Sequence, residues 1–126
     1  MTQSIKDSGE RRQFATGAVR DVTGGKGRYD LLPPRAIREV AIHFQQGAAK
    51  YGDSNYLKGI PLSVFLDSGL RHGFKTLAGE KDERHDRAWA WNALAFLETA
   101  ERIREGKLPK ELDDINWVTT DGLKST

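Results

Sequence analysis

Two imidazoles and a run of carboxylates crowd one short stretch of this chain. His72 follows Arg71, then come Gly79-Glu80-Lys81-Asp82-Glu83, and His85-Asp86 close the set. Carboxylate oxygens suit Mg2+ or Mn2+, and imidazole nitrogen shifts the preference toward Mn2+ and other transition metals. A dense set of such donors around one helix–helix turn is a candidate metal site. The competing chemistry is structural. Acidic residues stabilise a helix N-terminus, and Asp82 is placed to be its cap. Asp67 and Arg71 stand four apart, the spacing of a surface ion pair worth little.

Other polar residues interrupt faces that ought to be apolar. His85 and Asn92 are seven residues apart, about two helical turns, and both fall beside Ala88 and Ala95. A buried imidazole and a buried amide must find partners, either in a structural network or in a pocket between helices. Glu39, His43 and Lys50 lie along one flank of another helix, and Glu39 with His43 could share a metal or a proton. The loop Gly24-Gly25-Lys26-Gly27-Arg28 lacks the spacing of a Walker sequence. Its glycines nevertheless let backbone N–H groups approach an anion, while Lys26 and Arg28 supply charge. Residues 17–30 are expected to order over a bound phosphate group instead of joining the core.

Three helices must position these groups. Pro34 is well placed as a first helical residue, and Ile37, Val40, Ala41, Phe44 and Ala48 give one buried face to a helix over about 34–50. A second helix is expected from about Pro61 to Ala78, with Leu62, Leu66, Leu70, Gly73 and Leu77 on its inner face and Gly79 ending it. A third runs from about Asp82 to Glu105. Its apolar arc holds Ala88, Trp91, Ala95, Phe96 and Ile103, and Gly106 with Pro109 end it. A short turn follows around 111–117. No period-2 run reads as a strand. The predicted fold is therefore all-α: a compact bundle of three to four helices (33–117), an irregular basic leader (1–32) and a C-terminal tail (118–126). The short links make neighbours antiparallel and bring His72 and His85 to one side.

Composition narrows the function classes. The 126 residues make one domain, with no cysteine and a formal net charge of +2. That excludes disulfides and thiolate metal sites and suits a reducing cytoplasm. No apolar run approaches a membrane span, and Met1 to Arg12 show no secretion signal. The mixed charge is unlike that of a dedicated duplex-DNA binder. Broad arcs bearing Phe65, Phe74, Trp89, Trp91 and Phe96 exceed what one small bundle covers, so a homo-oligomer, a dimer above all, is expected.

Three segments together carry a resemblance. They are Gly24-Gly25-Lys26-Gly27-Arg28-Tyr29-Asp30-Leu31-Leu32-Pro33, then Gly47-Ala48-Ala49-Lys50-Tyr51-Gly52-Asp53-Ser54-Asn55-Tyr56, then Leu70-Arg71-His72 with Gly79 to Glu83 and His85 through Asn92 to Leu94. In order and spacing they resemble the phage family of dATP/dGTP diphosphohydrolase N-terminal domains, over about residues 17–100. That family is associated with MazG-like, all-α nucleoside triphosphate pyrophosphohydrolases, often dimeric and dependent on Mg2+ or Mn2+. The resemblance implies hydrolysis of a dNTP to the monophosphate and pyrophosphate. Glu80, Asp82, Glu83 and His85 would then hold the metal, and His72, Glu80 and His85 would carry catalysis. Lys26, Arg28, Lys50 and Arg71 would hold the phosphates, and Tyr29, Tyr51, Asn55 and Asn92 would contact the rest of the nucleotide. The MazG pattern Glu-Glu-x-x-Glu followed by Glu-x-x-Asp is absent.

Two alternatives stay open at this level. An HD-type phosphohydrolase would use His43, His85-Asp86 and Asp113 or Asp114, which occur in the right order. A non-catalytic module would bind a nucleotide, single-stranded nucleic acid or a phage partner through Tyr29, Tyr51, Tyr56 and the basic loop.

Overall fold

The computed structural model describes residues 9–22 and 24–118. The chain divides into two compact units, 1–33 and 34–126. The expected irregular leader contains a small antiparallel hairpin, β1 (Arg11–Gln13) with β2 (Val19–Asp21), followed by one 3-10 turn at Tyr29–Leu31. Strands of three residues are too short to show a period, so no alternation marks them. The turn is closed by Gly17 N–H donating to Phe14 O at 2.9 Å, with Gly17 at φ +91°. None of the described residues of this unit is buried, which agrees with a segment outside any hydrophobic core.

The second unit is helical: α1 (Pro34–Tyr51), α2 (Leu62–Leu77) and α3 (His85–Arg104), with 3-10 turns at Asn55–Lys58 and Lys110–Leu112. The all-α expectation holds, with the two-stranded hairpin its one addition. Both later helices stop as expected. Gly79 at φ +76° and Gly106 at φ +75° follow α2 and α3. At the first stop Gly79 N–H donates to Thr76 O and Glu80 N–H to Lys75 O, the paired bonds of a Schellman stop. The link to α3 is therefore a tight reversal. The run of α2 residues 65, 69, 72 and 73 meets Trp91, Asn92, His85 and Trp89, so the two helices pack antiparallel.

The inner face of α2 differs from the predicted one. Leu62 and Phe65 are buried with Gly69, whereas Leu66, Leu70 and Leu77 are exposed, with Leu77 at 82%. The leucine spacing is helical, but it marks the outer face. Two glycines without side chains mark the inner one. A Cβ on Gly69 would stand 3.2 Å from Asn92 Cβ, and one on Gly73 would stand 3.5 Å from the Trp89 ring. The absence of side chains lets α3 approach closely there. In α1 Val40 is buried, but Ile37 and Ala41 of its predicted face are exposed.

The core joins Leu62, Phe65, Ala95, Ala100 and Ile103, with Tyr56, Trp91, Phe96, Leu108, Leu112 and Val118 packed against it. The segment after α3 is also tied back by hydrogen bonds. Asp114 accepts from Ser63 N–H at 2.9 Å and from the Ser63 hydroxyl, supplying a cap that α2 lacks locally. Those bonds hold the Asp114 carboxyl below its ordinary range. Asp113 accepts from the N–H groups of Trp117 and Val118. Val118, the first residue of the expected tail, thus packs on the core, and residues 119–126 lie outside the described ones.

Candidate functional site

The α2–α3 reversal decides which side chains meet. His72 stands one turn before the end of α2 and His85 opens α3, and their Nδ1 atoms are 2.9 Å apart. Glu83, in the link, places Oε1 3.5 Å from each Nδ1. Among the described residues these three offer ligand atoms all within 4.8 Å of one another. His85 is 2% exposed and His72 is half-buried, while the Glu83 side chain is 57% exposed. Two imidazole nitrogens, which share a hydrogen bond here, and a carboxylate oxygen make a donor set that fits Mn2+ or a similar divalent cation once that shared proton is released.

Asp82 has a different place from the one expected. It is not the cap of α3, whose preceding residue is Arg84 and which has no side-chain cap. The Asp82 carboxylate instead accepts from His85 Nε2 at 2.7 Å, on the far side of the ring from His72. That bond keeps the proton on Nε2 and leaves the Nδ1 lone pair as an acceptor, here toward His72 Nδ1, the usual tautomer behind a ligating histidine. It also holds the Asp82 carboxyl below its ordinary range. Burial lowers the His72 pKa, assisted by His85, Arg71 and Lys75 and opposed by Glu83. Its ring is thereby kept neutral, as a ligand or base requires.

Two members of the cluster, His72 and Glu83, form part of the wall of a 560 Å³ cavity between α1 and the α2–α3 pair. Lys50, Tyr51, Asn55 and Asn92, all singled out from sequence, line it together with His72 and Glu83. Asn92 is buried and donates from Nδ2 to Ala88 O at 2.8 Å. A second cavity of 470 Å³ lies at the link, lined by Glu80, Arg84, Asp86 and His85, and again by Glu83. Glu83 thus borders both a cavity with an aromatic wall and a charged one.

Other candidates lie elsewhere. Glu80 lines the second cavity but does not join the three clustered donors. Arg71 pairs with Asp67 on the exposed face of α2 at 3.1 Å. Glu39 does not share anything with His43; it accepts two bonds from Arg87 of α3, at 3.1 and 2.5 Å, and so joins α1 to α3. Lys26, Arg28 and Tyr29 belong to the N-terminal unit, where Arg28 is held by both oxygens of Asp30.

Among the lining residues outside the leading site prediction are Trp91 and His43, the latter considered only with Glu39 and for the HD-type alternative. Trp91 contacts the rings of His43, Phe44, Tyr56 and Phe65 at centroid distances of 5.6–6.1 Å. His43 lines the cavity with its Nδ1 buried and unpartnered, and burial lowers its pKa. The available signal was a histidine three residues after Val40, on the flank of the inner face of α1. No helix of the described residues is long and apolar enough to cross a membrane.

No curated protein and no solved structure matches this chain. Its residues 16–110 match the family described as dATP/dGTP diphosphohydrolase, N-terminal. The match takes in the cavity and the His–Glu–His cluster, and the chain belongs to that family.

Proposed function

We propose that this domain hydrolyses a dATP- or dGTP-like deoxynucleoside triphosphate to its monophosphate and pyrophosphate, with Mg2+ or Mn2+ held by His72, Glu83 and His85. The observation that carries the reading is the convergence of two imidazole Nδ1 atoms and one carboxylate, with His72 and Glu83 of that cluster on the wall of a nucleotide-sized cavity. The family description supports the diphosphohydrolase part. When bound, the metal supplies a polarised phosphate oxygen and a water of lowered pKa.

The chain's own groups divide the remaining work. Asp82 orients His85 through Nε2, and burial disfavours the charged form of His72. In this reading Asp82 is a positioning residue, and Glu80 borders the charged cavity without ligating. Lys50 offers a positive charge to the phosphates, whereas Arg71 is engaged by Asp67 and Lys26 and Arg28 belong to the N-terminal unit. Tyr51, Asn55 and Asn92 face the sugar or base. The Asn92 Nδ2 is engaged by Ala88, so its Oδ1 is the atom available to a ligand.

The same reading includes a dimer. Phe65, Trp91 and Phe96 pack inward or against the core, so they do not make its surface. Trp89 and Phe74 are exposed, together with Leu66, Leu70, Leu77 and Leu97. This apolar face is large for a monomer.

Titration with Mn2+, followed by the electron paramagnetic resonance signal of the free ion, tests the site. One ion per chain is expected, with binding abolished by His72→Ala. Absence of stoichiometric binding, or binding unchanged in that variant, overturns the ligand assignment.

A further inference from the structure

The N-terminal hairpin carries an electrostatic conflict that the hydrolase reading does not use. In its register Arg12 stands opposite Arg20. Opposed residues of an antiparallel pair present their side chains on one face, and like charges there are destabilising. A two-stranded ribbon is already marginal in water. The other face has no such conflict, because Arg11 Nη1 meets Asp21 Oδ1 at 2.6 Å. Among the described residues Arg12 has only the Phe14 ring beneath its guanidinium, 4.6 Å away, and Arg20 has no ion pair. Both are exposed.

Further features of the same unit extend this face. Arg12, Gly27, Arg28 and Asp30 line a cavity of 400 Å³, so the hairpin and the Gly-rich loop meet at a cationic cleft. Tyr29, beside that cleft, is 79% exposed. Residues 1–33 hold six basic side chains against four acidic ones, so the formal charge of +2 of the whole chain resides in this unit. Successive cations with an exposed aromatic ring at their end match the repeat of a nucleic-acid strand better than one isolated phosphate.

The geometry points to a surface for single-stranded nucleic acid on the Arg12–Arg20 face of the hairpin. The two guanidiniums hold neighbouring phosphates, and Tyr29 stacks on a base. A phosphate at each of Arg12 and Arg20 replaces their repulsion with two charge-assisted contacts, so ligand and hairpin stabilise each other. This inference stands apart from the hydrolase reading, since none of its residues lines the metal cluster or its cavity.

The test is fluorescence anisotropy of a labelled twenty-residue oligo-dT strand with the full chain across a range of KCl. Wild type is expected to bind with a strong inverse dependence on salt. In Arg12→Gln/Arg20→Gln the affinity at low salt is expected to fall at least tenfold. The log–log salt slope is expected to shrink by roughly 1.4, the value for two lost single-strand phosphate contacts. Lys107→Gln/Lys110→Gln, which removes the same charge from the helical unit, is expected to stay within twofold of wild type. No binding by wild type, equal loss in both double variants, or no change in the arginine variant overturns the proposal. So does an arginine variant that keeps oligonucleotide binding but loses affinity for dATP, which assigns the arginines to a nucleotide's phosphate chain.

Discussion

Glu83→Gln is expected to lower nucleotide turnover by about a hundredfold or more at limiting metal while leaving the fold intact. The size follows from the role. Groups that merely orient a metal's ligands cost about 10–100-fold when removed, so loss of the one charged ligand should cost at least the upper end of that range. Retention of the fold follows from position. The side chain is 57% exposed and sits in the α2–α3 link, 3.5 Å from each imidazole, too far for a hydrogen bond. Glutamine keeps its size and removes its charge. The companion Glu80→Gln removes an equal charge three residues away, outside the donor cluster, and is expected to change turnover no more than about twofold, the size of a long-range electrostatic effect at an exposed site. Steady-state kinetics over a Mn2+ series, with thermal melts of both variants, makes the comparison. Equal effects of the two substitutions would mean that Glu83 acts through general charge only.

The second large effect concerns the fold that holds the site. Phe65→Ala is expected to destabilise the protein by about 3–5 kcal/mol, the range for removing a buried phenyl ring. Phe65 is 2% exposed and lies in the core with Leu62 and Ala95. Its ring also packs against Trp91 at a centroid distance of 6.1 Å, so the cavity wall loses support along with the core. For a unit of this size each kcal/mol moves the melting midpoint by roughly 4–8 °C, and a drop of at least about 12 °C is expected by calorimetry. Leu70→Ala on the same helix removes a side chain that is 60% exposed in one chain. It is expected to leave the monomer's stability within about 1 kcal/mol. A Phe65→Ala loss as small as that of Leu70→Ala would contradict the observed inner face of α2.

These two substitutions also locate what the sequence could and could not reveal. The three helices were legible because Pro34, Gly79 and Gly106 punctuate them and because the apolar period of α3 is clear. The face of α2 was not. Leucines at 62, 66, 70 and 77 have the right period, yet only Leu62 turns inward. Beside Leu62 and Phe65 the contact surface includes the expected Gly73 and also Gly69, and hydrophobic periodicity has no weight for a residue whose value is its missing side chain. His72 and His85 were legible as partners because a tight reversal between antiparallel helices must bring their ends together. The separate places of Asp82, Glu83 and Glu80 were not, because all three are donors of one type in one short link. Local backbone geometry, not composition, sends Asp82 to the Nε2 side of His85 and Glu83 to the Nδ1 side. The hairpin was hidden by strands only three residues long.

Cleavage of a deoxynucleoside triphosphate at a metal held by His72, Glu83 and His85 is the reaction proposed for this domain. Its test is phosphorus NMR of the purified chain incubated with dATP or dGTP and Mn2+, against a metal-free control. Metal-dependent growth of pyrophosphate and monophosphate signals in equal amounts is expected, slowed about a hundredfold or more in Glu83→Gln. Tripolyphosphate as the product, or no turnover of any nucleotide with either Mg2+ or Mn2+, would contradict it.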